Sequence, residues 1–145
     1  MGRGFYCSRS CAGAHTAVRA GLTMVRAERF NQKVDRSGPI PDQHPEFGPC
    51  WIWTGDITKQ GYGLFVFDGS RQSSHRSAWE QVAGPIGDPN LLACHTCDVR
   101  ACVRNDEIGT YEVAGFLYRR IGHLWLGDQT ANLADRDAKG RAPYQ

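Results

Sequence analysis

Three cysteines and a histidine, in the order Cys50, Cys97, Cys102 and His123, constrain this chain more than any other feature. Three thiolates and one imidazole form a complete tetrahedral ligand set for a structural Zn²⁺, each held about 2.0 to 2.3 Å from the ion. Four residues separate Cys97 from Cys102, the upper end of a ligand knuckle, while Cys50 and His123 arrive from distant segments. Such a site ties an early strand to a late one. Buried free cysteines behaving as small hydrophobes would satisfy the same count.

The compartment decides how six cysteines are read. The start MGRGFYCSRSC is charged and has no apolar h-region behind it, which predicts a cytoplasmic protein rather than a secreted one. Thiols in a reducing cytosol are reactive, buried or metal-bound rather than paired. No apolar run approaches a membrane span, and a length of 145 residues suits one folded domain. A 10% aromatic content, Trp51, Trp53, Trp79 and Trp125 included, argues against disorder.

Charge is unevenly distributed. Residues 1–36 carry seven Lys/Arg against Glu28 and Asp35, or +5, and the remainder is −3. Residues 10–34 lack proline, and Val18, Leu22, Val25 and Phe30 recur at roughly helical spacing. Residues 1–36 are therefore expected to be a basic helical arm suited to a polyanion, although a basic helix face is often only solvated. Residues 37–49 hold Pro39, Pro41, Pro45 and Pro49, a linker composition. The folded domain is expected over 50–141. CWIWTG, GYGLFVF and RQSSH read as short strands with a hairpin signal at Asp68-Gly69. HRSAWEQVAG reads as a helix stopped at Gly84-Pro85. LLACHTC and HLWLG read as apolar strands, followed by a helix capped by Asp128 and stopped at Gly140. The class is α+β, with an antiparallel sheet before a strand, strand, helix unit.

Two further residues gain meaning from their neighbours. His95 lies two residues before Cys97, so strand periodicity turns both toward one face. Asn132 falls on the first turn of the last helix, where an amide oxygen can bind a hard cation. Cys94 alternates away from His95 and belongs in the core.

HTCDVRAC, preceded by CWIWTG, GYGLF and HRSAWE and followed by HLWLGDQTANLADRDAKGR, resembles the HNH endonucleases of phage genomes. Within these it is similar to the His-Cys box homing endonucleases, which share a zinc-stabilised ββα-metal (His-Me) finger. The resemblance covers about residues 49–141. It implies a phage or mobile-element enzyme in a bacterial host that hydrolyses double-stranded DNA, with His95 as general base and Asn132 helping to hold a catalytic Mg²⁺. It also implies that Cys50, Cys97, Cys102 and His123 bind the structural Zn²⁺, in agreement with the ligand count. A homodimer on a palindromic target is one arrangement open to it.

The sequence departs from the family in places. Cys102 and His123 are twenty residues apart rather than four, and the extra segment at about 105–122 reads as an inserted β-hairpin carrying Arg119 and Arg120 as possible phosphate contacts. Leu64 stands where the family often has arginine. Arg76 and Arg71 are then the candidates for stabilising the phosphate in the transition state, with Arg76 preferred, and His75 contacts DNA or packs on the sheet. RGFYCSRSCA resembles half a treble-clef finger, which makes Cys7 and Cys11 further, weaker ligand candidates. The competing readings are a zinc-stabilised DNA-binding module without cleavage and a zinc domain with no nucleic-acid partner.

Overall fold

A computed structural model of the protein describes residues 25–141. The chain divides into two units, Met1–Gln32 and Lys33–Gln145. In the first, residues 25–31 are helical, with the Gln32 amide donating to the Glu28 carbonyl at 3.0 Å. Residues 1–24 of the expected arm, Cys7 and Cys11 included, lie outside the described residues. The helix does not reach Val34, because Val34 and Asp35 form strand β1 and pair with β2 (Ile52–Trp53).

The second unit is a small α+β fold with antiparallel sheets. Residues 37–49, expected as a linker between arm and domain, are instead part of it. The Gly38 amide donates to the Cys50 carbonyl at 3.1 Å, and the Cys50 amide donates to the Pro39 carbonyl at 2.8 Å. A 3₁₀ turn over Pro45–Phe47 follows. The stretch is proline-rich because it makes few ladder bonds, yet both its ends are fixed by strand pairing.

A three-stranded sheet follows, β3 (Asp56–Ile57), β4 (Gly63–Phe67) and β5 (Ser70–Ser73), in the order β3-β4-β5. Phe65 and Phe67 alternate inward along β4 and stack on each other, and Trp53 meets Phe65 edge-on at 5.6 Å. Asp68 and Gly69 both have positive φ, 52° and 78°, as a two-residue type I′ hairpin requires. Helix α1 (Ser74–Ala83) continues directly from β5 and buries Ala78 and Trp79.

The last sheet has the order β6-β9-β8-β7, from β6 (Leu92–His95), β7 (Ile108–Val113), β8 (Phe116–Ile121) and β9 (Leu124–Gly127). Strands β7 and β8 are a hairpin closed at Ala114-Gly115, which lengthens the sheet beyond the β6–β9 pair. Helix α2 (Gln129–Ala138) then folds back, with the Asp128 side chain accepting from the Ala131 amide at 2.8 Å as its N-cap. Cys94, Tyr111, Val113, Trp125 and Ala131 make the core between this sheet and α2. Burial pushes the Cys94 thiol up to about 12, consistent with a core residue. No helix among the described residues is long and apolar enough to cross a membrane.

Candidate metal centre and adjoining cavity

Cys50, Cys97, Cys102 and His123 converge from four places. Cys50 precedes β2, Cys97 and Cys102 bracket the loop after β6, and His123 precedes β9. One ligand atom from each lies within 4.8 Å of the others, and all four side chains are buried. His123 Nδ1 is 3.4 Å from Cys102 Sγ and 3.7 Å from Cys50 Sγ. Tetrahedral bonds of about 2.3 Å to sulfur and 2.0 to 2.1 Å to nitrogen place such atoms roughly 3.6 Å apart. This is a buried Cys₃His group that can hold a metal such as zinc.

The surroundings suit that role. His123 Nε2–H donates to the Phe47 carbonyl at 3.1 Å, which leaves the Nδ1 lone pair for the sulfur cluster, the usual support of a metal-bound histidine. The Val99 amide donates to Cys97 Sγ at 3.5 Å. Gly122 sets the approach of His123: its φ is +60°, and a Cβ there would collide with the Arg104 carbonyl. The protonation pattern is that of ligands sharing charge. Hydrogen bonds from Cys50 and Cys97 hold the Cys102 thiol far below its ordinary value. The same contacts and burial push Cys97 up, and Cys50 rises to about 12 chiefly through its bond to Cys102. A metal bound by such a group requires deprotonated thiols, so its binding would release protons.

Beside this knot lies a cavity of about 610 Å³ lined by His75, His95, Asn132, Arg100, Arg136 and Arg141, among others. His95 ends β6 at the sheet edge. Its Nε2–H donates to the Cys102 carbonyl at 2.9 Å, so a backbone atom of a residue of the Cys₃His group fixes the ring. Nδ1 has no hydrogen-bond partner among the described residues. Burial, the largest cause, holds the His95 pKa below its ordinary value, so the ring is neutral near pH 7. Asn132 is half-buried, and its side-chain amide likewise has no partner among the described residues.

His75 both packs and faces the cavity. Its ring lies 4.8 Å from that of His95 and 5.5 Å from that of Tyr62, and its buried Nδ1 has no hydrogen-bond partner among the described residues. Desolvation pushes its pKa down to about 3. Arg76, expected at the phosphate, is placed elsewhere: Nη2 donates to the Ile86 carbonyl at 3.3 Å, Nε lies 3.5 Å from Glu80, and the residue does not line the cavity. Position i+1 from His75 on α1 turns its side chain about 100° away. Arg71 is an exposed β5 residue opposite Val66. Leu64 pairs with Asp56 and Ser73 and carries no charge to the site. On the hairpin, Arg119 is exposed and sits over the Trp79 ring, whereas Arg120 is buried against Phe47 and donates to the Gly122 carbonyl at 2.8 Å.

The cavity's own arginines were not legible as site residues. Arg100 sits inside the knuckle loop, with Nη1 donating to the Gln60 carbonyl at 2.6 Å and its guanidinium over Tyr62. Arg136 is one turn beyond Asn132 on α2, and that i, i+4 spacing is the signal that could have found it. Arg141 follows the helix and pairs with Asp98 at 3.1 Å.

No family model, no curated protein and no solved structure matches this chain.

Proposed function

We propose that the chain is a metal-dependent DNA endonuclease of the ββα-metal class, in which a structural Zn²⁺ on Cys50, Cys97, Cys102 and His123 fixes the strand that carries His95. One observation carries the reading. The His95 ring gives its Nε2–H to the Cys102 carbonyl at 2.9 Å, which leaves Nδ1 as its acceptor in a cavity that Asn132 also lines. A neutral imidazole oriented by its other nitrogen is the arrangement a general base needs.

In this reading His95 Nδ1 takes a proton from the water that attacks the phosphodiester. Asn132 would help hold a Mg²⁺, which when bound supplies positive charge against the scissile phosphate and the departing 3′ oxygen. Arg100, Arg136 and Arg141 line the cavity together with Asp98, Arg136 paired with Asp137 and Arg141 with Asp98, and would supply positive charge to a phosphate backbone. The products are a 5′ phosphate and a 3′ hydroxyl, and the substrate is double-stranded DNA. A second reading, a zinc-stabilised DNA-binding module without cleavage, is favoured by the uncharged Leu64 and by the engagement of Arg76 with Glu80.

Supercoiled plasmid incubated with the zinc-loaded protein separates the two. The endonuclease reading expects nicked or linear product with Mg²⁺, none with EDTA, and 5′-phosphate ends. Binding without cleavage across a Mg²⁺ titration would favour the second reading. Binding that ignores salt would count against both, since each phosphate contact contributes a log-log slope of roughly −0.9.

A further inference from the structure

Lys139, at the end of α2, is almost wholly buried, with 5% of its side chain exposed. Its ammonium has three N–H donors and no acceptor, and three acceptors surround it. Asp135 Oδ2 lies at 2.7 Å, Asp98 Oδ1 at 3.0 Å and the His95 carbonyl at 3.2 Å. Each comes from a different part of the fold: α2 itself, the knuckle loop and the last residue of β6. Of the remaining carboxylate oxygens, one accepts a hydrogen bond and the other has only an ion pair. Tyr111 of β7 donates its hydroxyl to Asp135 Oδ1 at 2.7 Å, and Arg141 pairs with Asp98 Oδ2 at 3.1 Å.

We propose that Lys139 is a positioning residue that sets His95 against Asn132, an inference that rests on the endonuclease reading above. Asn132 and Lys139 are seven residues apart, close to two helical turns, and so share one face of α2. One end of that face meets the cavity and the other grips the backbone of the candidate base. His95 is thereby held twice, by Lys139 at its carbonyl and by the Cys102 carbonyl at its ring. With two hydrogen bonds, an ion pair to Asp135 and only 5% of its side chain exposed, the ammonium is committed to these groups rather than turned to a phosphate, which separates its role from that of the cavity arginines. A displacement of about 1 Å between base and metal ligand is enough to cost roughly 10²-fold in rate.

The test compares the zinc-loaded full chain with Lys139→Met and with the charge-balanced double variant Asp135→Asn/Lys139→Met, which no longer leaves Asp135 as an uncompensated carboxylate. The first readout is independent of cleavage: hydrogen exchange of the two histidine ring N–H protons by NMR. In both variants the His95 Nε2–H is expected to exchange about tenfold faster, the equivalent of one hydrogen bond loosened, while the His123 Nε2–H held by Phe47 is unchanged. The second is single-turnover DNA cleavage, expected to fall by about 10²-fold with DNA affinity unchanged. Unaltered exchange at His95, or a double variant that cleaves like the parent, would overturn the proposal by reducing Lys139 to charge balance. A parent chain that does not cut DNA would defeat the endonuclease reading, and the exchange measurement would still decide whether Lys139 holds His95.

Discussion

The metal centre and the cavity next to it are built on opposite terms. Cys50, Cys97, Cys102 and His123 are all buried, their ligand atoms face one another, and the second nitrogen of His123 is taken by Phe47. A few residues away the polar groups are half-buried, and His75 Nδ1, His95 Nδ1 and the Asn132 amide have no protein partner among the described residues. Leaving a buried group such as His75 Nδ1 unmatched costs stability, and that cost is tolerable where a rigid neighbour supplies the order. The two regions share a backbone atom, the Cys102 carbonyl that accepts from His95. With a metal bound, the first region would supply the stability that the second forgoes.

The largest way to break this contrast is to remove the metal. Chelation, or Cys102→Ser, is expected to abolish the cooperative thermal transition followed by circular dichroism, because structural zinc contributes roughly 10 to 16 kcal/mol, comparable to a domain's whole net stability of about 5 to 15. A melting temperature that barely moves would mean that the four residues are ordinary core.

A smaller effect should come from the cavity side. His75 has its pKa pushed down to about 3 by burial, against an ordinary value near 6.5. The unfolded chain therefore binds the proton first, and the stability this group contributes is complete above about pH 6.5 and is lost as pH falls toward 3. Replacing it, His75→Phe, removes the unpaired nitrogen and should make the loss of stability over that pH window shallower than in the parent. Denaturant midpoints measured at intervals from pH 7 to 4 decide it, and parallel curves would contradict the assignment.

The smallest effect is expected at Arg76. Its guanidinium is occupied by Glu80 and the Ile86 carbonyl outside the cavity, so Arg76→Ala should leave cleavage nearly unchanged and cost no more than about 0.5 kcal/mol, as surface changes usually do. A large loss of cleavage with the fold intact would return Arg76 to the site.

What could be read from the sequence divides along the same line. The Cys₃His group was legible because ligand chemistry is restrictive: few residue types bind zinc, and their order along the chain sufficed. The helix around Asn132 was legible from its Asp128 cap. Residues 37–49 were misread because proline content is a local signal, whereas their order comes from β1 pairing with β2 across the gap from Val34 to Trp53. Arg100, Arg141 and Lys139 carried no signal of their own, since a cation in a loop or after a helix looks solvated until the fold shows what surrounds it. The Asp135 to Lys139 spacing, an i, i+4 acid-base pair, was the one hint at the buried lysine.

The central claim is that the metal knot exists to hold a base, and His95→Ala tests it most directly. The variant leaves all four metal ligands in place and is expected to retain one zinc per chain and the parent's DNA affinity. Its single-turnover cleavage with Mg²⁺ should fall by about 10² to 10⁴-fold, the usual contribution of a general base. Cleavage by His95→Ala at the parent's rate would contradict the account.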